Sequence, residues 1–424
     1  MTKHLLKLVW NRKRINFLIT VEIFFSFVVL FGVVLAAVYY VDNYNQPLGF
    51  TYENVWRVAV EMNERAEGSH SSQNTQTDIN APKEPTEEAD SPAAATFKQL
   101  IAAAKEFDEI EGVATSTVTP YGDGTDTSAI GDDSNLIRYG VNMVSDDYPQ
   151  VLGLTLTRGR WFGKEDDGAN YRPVVINEKL SRDVFGELDP LGKELRRPNL
   201  PPKQEEEKST PMRVVGVISE FRKDGEYTAP ENFLFQRQLL NNQMRREPSS
   251  LMLKVRPGTT AEFEEKVIKR LQAVAKDWSF EIEPVTKMRE TANTFRLAPL
   301  IAGGLVAGFL MLMVAMGLTG VLWQNVTQRT KEIGLRRAKG ATARRIHKQI
   351  LAELVIIATF GLIFGVAAVV QFPLLDVIGD INSRVFGVSV LISLVVIYAL
   401  TVICGLYPSW MATKVQPAEA LHYE

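Results

Sequence analysis

The chain has 424 residues, 46% of them hydrophobic and 23% charged, with a formal net charge of −3 and a mean hydropathy close to zero. High apolar content with low net charge excludes a disordered chain. A single cysteine, Cys404, excludes a scaffold built on internal disulfides, and the lack of a basic excess excludes a charge-driven nucleic-acid binder. These averages describe a soluble protein, but charge and apolarity are segregated along the chain.

Residues 1–14 carry Lys3, Lys7, Arg12, Lys13 and Arg14 and no acid. Residues 15–41 follow, apolar except for Glu22, and exceed the roughly 20 residues needed to cross a bilayer. They also exceed the ~7–15 residues of a signal-peptide core, which argues for an uncleaved anchor. Glu22, about two turns into this span, either snorkels to the cytoplasmic surface or pairs across helices.

The long segment 42–296 is polar by comparison. Within it, residues 64–96 are rich in Pro, Ser, Thr and Glu and nearly free of large apolar side chains. They bury too little to offset their ordering entropy and read as a flexible excursion; residues 198–211 read as a second loop of that kind. Residues 97–107 carry a helical apolar stripe (Phe97, Leu100, Ile101, Ala104), and residues 112–119 are strand-like. The β-branched runs 173–177 and 212–219 predict strands with a short helix, 179–185, between them. Residues 250–255 predict a strand, 260–276 an amphipathic helix with Phe263, Val267, Ile268, Leu271 and Val274 on one face, and 279–284 another strand. Alternating strands and helices over some 255 residues imply a large α+β domain of two lobes with mixed sheets.

Three further spans follow. Residues 297–328 are uncharged, as are 354–375 and 385–413, which places the spans at 297–328, 350–375 and 386–408. Residues 329–349 between the second and third spans are strongly basic, with eight Lys/Arg in 329–348 against Glu332 alone, whereas the short connection 376–385 holds Asp376, Asp380 and Arg384. The positive-inside rule then puts both termini (1–14 and 409–424) and the basic segment in the cytoplasm, and 42–296 outside. The net charge of −3 is the sum of +8 on the membrane part and −11 on the outer part. The expected architecture is therefore an α-helical membrane protein with four transmembrane helices, one before and three after a large extracytoplasmic domain.

Catalytic chemistry is not legible. His4, His70, His347 and His422 are scattered, and no metal-ligand spacing joins them. The run from Gly186 to Lys193 approaches a phosphate-binding loop, but it has one residue too many between its glycines and Glu194 where Ser or Thr would hold magnesium, so it reads as a turn and strand start. Residues 123–133 are rich in acids without calcium-loop spacing and read as a solvated loop. An enzyme is not expected.

The basic segment has a specific order, Arg329-Thr330-Lys331-Glu332-Ile333-Gly334-Leu335-Arg336-Arg337-Ala338-Lys339-Gly340-Ala341. This order resembles the signature of the MacB/FtsX-like permeases of ABC transporters. The C-terminus is similar to that family's ending through Tyr407-Pro408, Ala412 and Pro417-Ala418-Glu419-Ala420-Leu421-His422-Tyr423-Glu424. So is the outer segment, through Asp147-Tyr148-Pro149, Gly153-Leu154, Gly159-Arg160-Trp161-Phe162, Asp166, 173–177, Phe185-Gly186, 189–193 and Val215-Gly216-Val217.

The resemblance implies a permease without its motor: no cofactor on this chain, with ATP and Mg bound by a separate cytoplasmic ATPase dimer. Carried over by motif, the ATPase-coupling residues are Glu332, Gly334, Arg336, Arg337, Gly340 and Ala341, flanked by Arg344 and Arg345. Lys339 departs from the small or apolar residue usual there, and the 64–96 excursion is a second departure. The family acts as dimers, so a second copy or a sibling permease is expected; Gly304 with Gly308 and Gly361 with Gly365 supply spacing for close helix approach. The resemblance further implies a bacterial inner-membrane location. Its expected work is mechanotransmission, for efflux through a periplasmic adaptor and outer-membrane channel or for release of lipid-anchored cargo. The alternatives are activation of a cell-wall hydrolase and the sensing of an envelope signal.

Overall fold

The computed structural model describes residues 13–62, 91–122, 124–130, 136–195, 210–241, 244, 246–328, 333–336, 339–375 and 381–413. The chain divides into two units, Asn43–Thr294 and the helical remainder, Met1–Asp42 with Phe295–Glu424.

In the Asn43–Thr294 unit the described strands are β1 (Val55–Met62), β2 (Ile110–Ser116), β3 (Asp126–Ile130), β4 (Ile137–Val144), β5 (Leu156–Gly159), β6 (Arg172–Asn177), β7 (Glu194–Leu195), β8 (Met212–Ile218), β9 (Phe233–Arg237), β10 (Ser250–Val255) and β11 (Trp278–Pro284). They form one mixed sheet in the order β11-β1-β10-β2-β4-β9-β6-β8-β5, with β3 on β4 and β7 on β8. The two expected lobes are the halves of this sheet.

The first half, β11-β1-β10-β2, is wholly antiparallel. Phe97 and Leu100 of one helix (Pro92–Ala104) and Phe263, Val267 and Leu271 of another (Ala261–Val274) pack with its Val58, Leu251, Leu253 and Phe280. The second half pairs β4 with β9 and β6 with β8 in parallel. Its core is Val174, Ile176, Val214, Val217 and Leu234 with Leu180 of a third helix (Glu178–Phe185). A single residue pair, Ser116 with Val144, joins β2 to β4. Asn142, fully buried, closes the seam with side-chain bonds. Its Oδ1 accepts from the amides of Thr117 (3.2 Å) and Val118 (3.0 Å) and from the Ser116 hydroxyl (3.2 Å), while its Nδ2 donates to the Val118 carbonyl (2.7 Å) and the Tyr148 hydroxyl (3.2 Å).

Two expectations are corrected here. The helix placed at 97–107 begins at Pro92, because Ser91 caps the Ala94 amide at 3.2 Å and proline is favoured at the first helical position. Residues 91–96 therefore leave the expected excursion, and 63–90 lie outside the described residues, as does most of the second loop. Asp126–Ile130, inside the acid-rich run read as a solvated loop, is a strand paired antiparallel with β4. The Gly186–Gly192 run is a turn, with left-handed glycines at both ends (φ 59° and 75°), leading into β7.

With these three and two short helices, 148–152 and 371–374, in the count, the chain-order helices are α1 (Lys13–Tyr44), α2 (Pro92–Ala104), α3 (Tyr148–Leu152), α4 (Glu178–Phe185), α5 (Ala261–Val274), α6 (Val285–Gln328), α7 (Ala343–Val369), α8 (Gln371–Leu374) and α9 (Ser383–Thr413). Four of the helical segments are long and apolar enough to cross a membrane. Their helices outrun the apolar stretches read from sequence: α6 starts at Val285 rather than at 297, and α7 at Ala343 rather than at 350. Hydropathy marks only the portion suited to lipid, whereas backbone hydrogen bonding continues through polar residues such as 286–296.

In the helical unit, Ile19, Ile23, Phe27 and Phe31 of α1 share a buried cluster with Val314, Leu318 and Leu322 of α6, Leu354, Ile357 and Leu362 of α7, and Ile397 of α9. Gly361 and Gly365 make the α1–α7 contact possible. A Cβ on Gly361 would stand 2.9 Å from Ile23 Cγ2 and from the Thr20 carbonyl, and one on Gly365 only 2.5 Å from Phe27 Cδ1. Gly317 of α6 likewise leaves room for Glu22, whose Oε2 would lie 2.8 Å from a Cβ there. Glu22 thus lies against α6 at a glycine.

Candidate functional site

The basic segment between α6 and α7 makes a tight reversal. Glu332 and Arg337 lie outside the described residues. Residues 333–336 form a helical turn in which Ile333 and Gly334 are buried and Leu335 is exposed. Gly340 ends it at φ 89°, and the Ala341 amide reaches back to the Arg336 carbonyl at 3.0 Å, the long bond of a Schellman cap. Only glycine takes that backbone conformation without strain. Thr342 then stands at the N-cap of α7.

Val326, Ile333 and Ile346 form a small buried cluster, with Ile350 against it, that pins the reversal to the ends of both helices. Arg336 donates to Gln349 Oε1 at 2.9 Å, and Gln349 to Glu353 at 3.3 Å, which aligns the turn with α7. Lys339, Gly340, Arg344, Arg345 and Lys348 are left exposed. The first turn of α7 has no acidic residue, and Thr342 makes no side-chain cap bond. Basic side chains at a helix N-terminus oppose the macrodipole instead of compensating it. Among the described residues, the exposed start of α7 thus concentrates positive charge that the helix dipole opposes, which suits it to an anionic cleft.

The four predicted packing glycines divide into two pairs. Gly361 and Gly365 are consumed inside the chain against α1, whereas Gly304 and Gly308 have nothing within 4 Å among the described residues. Around the latter, Leu305, Phe309, Leu312 and Met316 are exposed along α6.

The motif residues of the Asn43–Thr294 unit shape its backbone. Gly159 and Gly216 admit a close approach of two strands: a Cβ on Gly216 would lie 2.1 Å from the Arg160 carbonyl. Arg160 holds Asp166 with Nη1 to Oδ2 at 2.8 Å and Nη2 to Oδ1 at 2.6 Å, and the Gly163 amide adds a third bond at 3.1 Å. These bonds, the Arg160 guanidinium first, hold the Asp166 carboxyl below its ordinary value of 3.8. A depressed folded value stabilises the native state fully above the unfolded value, and that contribution is lost as pH falls through the folded one. Asp166→Asn is expected to cost about 2 kcal/mol at pH 7, seen as a lower unfolding temperature of the whole chain. The gap to wild type should narrow as pH falls below that ordinary value and close only once pH has passed below the folded one.

The loop between β8 and β9 was not legible as functional. Arg222, 1% exposed, donates Nη1 to the carbonyls of Asn43 and Gln46, both at 2.9 Å, and Nη2 to that of Glu226 at 2.6 Å. Glu226, buried, meets Arg289 in an ion pair and accepts from the Tyr121 hydroxyl at 3.3 Å. Burial is the first cause of a raised Tyr121 hydroxyl, with the Glu226 charge next. The segment Lys223-Asp224-Gly225 signals only a turn, and its partners lie too far along the chain to be read from spacing.

Residues 24–270, more than half of the chain, match the family model of the MacB-like periplasmic core domain, and residues 304–417 match that of the FtsX-like permease C-terminal region. The chain belongs to the MacB/FtsX-like permease family. This permease is 28% identical over 290 residues to the macrolide export ATP-binding/permease protein MacB of Bdellovibrio bacteriovorus, an alignment covering 65% of this chain and 43% of that protein. It is 26% identical over 295 residues to the ABC transporter permease YvrN of Bacillus subtilis, covering 66% and 69% respectively. The permease therefore spans less than half the length of the MacB relative. Among solved structures, the periplasmic region of MacB from Actinobacillus actinomycetemcomitans aligns with 57% of this chain and 94% of its own, at a TM-score of 0.35 and 16% identity. The membrane-spanning helices, the mixed α/β periplasmic or extracellular domain and the family agree with the reading from sequence.

Proposed function

We propose that this chain is the permease subunit of an ABC transporter of the MacB type, driven by a separate cytoplasmic ATPase that binds ATP and Mg. Its described elements would act by mechanotransmission: movement imposed at the basic reversal by the ATPase is passed along the spanning helices to the extracytoplasmic domain. Four spans per chain leave little material for a wide channel, which favours work done outside the bilayer, as efflux through an adaptor and outer channel or release of lipid-linked cargo. The termini and the basic segment would face the cytoplasm of the inner membrane, in line with the charge asymmetry. A second permease copy would pack on α6 at Gly304 and Gly308, whose surroundings are open and apolar.

The observation that carries this reading is the exposed, uncompensated start of α7, with Arg344 and Arg345 presented by the Gly340 turn. An anionic groove on an ATPase would supply both the charge and the acceptors that this helix start lacks. The test is co-purification from native membranes. Wild type is expected to bring down an ABC ATPase, and the double substitution Arg344→Glu, Arg345→Glu to reduce its yield at least about tenfold, equivalent to ~1.4 kcal/mol. Equal recovery by the two would overturn the docking assignment. Movement of a polar substrate across proteoliposomes by chain and ATPase alone, without adaptor, would overturn mechanotransmission.

A further inference from the structure

Two of the long helices have an end inside the Asn43–Thr294 unit: α1 closes at Tyr44 and α6 opens at Val285. The last carbonyls of a helix lack intrahelical partners. At the end of α1 the Asn43 carbonyl and the nearby Gln46 carbonyl are both taken by Arg222 Nη1 at 2.9 Å, from a loop 179 residues along the chain from Asn43. A buried cation here also complements the negative end of the helix dipole. The amide of Arg222 is tied to the same segment through the Leu48 carbonyl at 3.0 Å.

The other edge of that guanidinium binds its own loop, with Nη2 on the Glu226 carbonyl at 2.6 Å and Nε on the Thr228 carbonyl at 3.2 Å. The Glu226 side chain then reaches Arg289, in the second turn of α6, and Arg289 lies over the Tyr52 ring at 4.6 Å. Val285 and Met288 of the same helix start are buried in the aromatic core with Phe50, Phe221 and Phe233. The path from α1 to α6 therefore runs from the Arg222 side chain to the Glu226 main chain, and from the Glu226 side chain to Arg289, with Arg222 and Glu226 both buried.

The loop has little freedom to adjust. Tyr121, which contacts Glu226, is held at φ 58°, a left-handed conformation unusual for an aromatic residue, and its amide binds the Lys223 carbonyl at 2.8 Å. Gly225 (φ 89°) lies so close to the Tyr121 ring that a Cβ would stand 2.5 Å from it. Strain of this kind persists where the surroundings over-determine it.

We infer that Arg222, Glu226 and Arg289 are positioning residues that make the end of α1 and the start of α6 one cooperative joint, so that loosening either helix end loosens the other. This deepens the mechanotransmission reading and rests on it for its use, but its test needs no ATPase. A failure of ATPase capture and a failure of the joint are therefore separate results.

The experiment is hydrogen exchange on the full chain in lipid nanodiscs, comparing wild type with Arg289→Met and Arg222→Met. Arg289→Met is expected to speed exchange about fivefold or more, the low end of typical coupling, at residues 43–52 as well as at 285–294. Arg222→Met is expected to do the same at 285–294, while β6 and β9 keep wild-type protection. Glu226→Gln and Arg289→Lys serve as milder variants should a methionine substitution prevent folding; Glu226→Gln is expected to loosen both ends and Arg289→Lys to retain most of the coupling. Faster exchange confined to the end each variant touches, no change at either end, or equal loss throughout β6 and β9 would each overturn the joint.

Discussion

Asn142→Leu is expected to remove about 3 kcal/mol or more from the stability of the Asn43–Thr294 unit. The two halves of its sheet meet at one backbone pair, Ser116 with Val144, and Asn142 completes that seam from 0% exposure with six side-chain bonds to Ser116, Thr117, Val118 and Tyr148. A leucine has similar volume but neither accepts nor donates. The Val118 amide would lose the acceptor it has at 3.0 Å, and each buried polar group left unsatisfied costs roughly 1–3 kcal/mol. Against a total of about 5–15 kcal/mol for a domain, that loss is large. Thermal unfolding followed by near-ultraviolet circular dichroism, which reports the aromatic cores of this unit, measures it; an unchanged transition would mean that the seam is held by its other hydrogen bonds and packing, without need of Asn142.

Gly365→Leu is expected to have the largest effect in the helical unit. Its Cβ would stand 2.5 Å from Phe27 Cδ1, inside a cluster where Phe27 itself is fully buried, so α1 and α7 must separate or Phe27 must leave its rotamer. Overpacking of that kind costs about 1–3 kcal/mol, and more where backbone lies behind the contact. The comparison is Gly308→Leu, which meets no neighbour within 4 Å among the described residues. In detergent, Gly365→Leu should lower the unfolding temperature of the chain, and Gly308→Leu should leave it unchanged while weakening self-association measured by light scattering. A stable Gly365→Leu chain would refute the observed α1–α7 contact.

Much of this fold could be read from residues alone, and the failures have physical causes. β6 and β8 are β-branched runs between turn residues, and their strands emerge within a residue of the expected bounds. β10 and α5 were equally plain, because alternation and a 3.6-residue stripe are local signals. No strand was expected at β1, β4 or β9. β9 is a short aromatic stretch, Phe233-Leu234-Phe235, between polar turns, and β3 begins with three polar residues, Asp126-Thr127-Ser128; each is made a strand by the neighbour it pairs with. The start of α6 was missed because charged residues there carry no hydropathy signal.

The candidate site divides in the same way. Order in the 329–341 run pointed to the segment proposed to couple to an ATPase, and the Gly340 turn gives that order a local structural role. Nothing in the sequence distinguishes Gly361 and Gly365, spent on α1, from Gly304 and Gly308, which are not. Arg222 and Glu226 were invisible because their function depends on partners brought together only by the completed sheet.

The position of β1 bears on how such a domain is made. Val55–Met62 lies between β10 and β11, its residues paired with Leu251, Met252, Leu253 and Lys254 on one side and with 278–284 on the other. As the earliest of the described strands in this sheet, β1 must therefore wait almost two hundred residues for β10 and longer for β11, while its apolar alternation stays unprotected. Contacts of such long range form slowly, and unpaired strand edges are prone to aggregation in the interval. Closing a long loop costs little more than closing a moderate one, since the penalty grows only with the logarithm of its length. The polar stretch 63–90 directly after β1 can thus vary in length with small effect on stability, whereas pairing of β1 itself has to await β10 and β11.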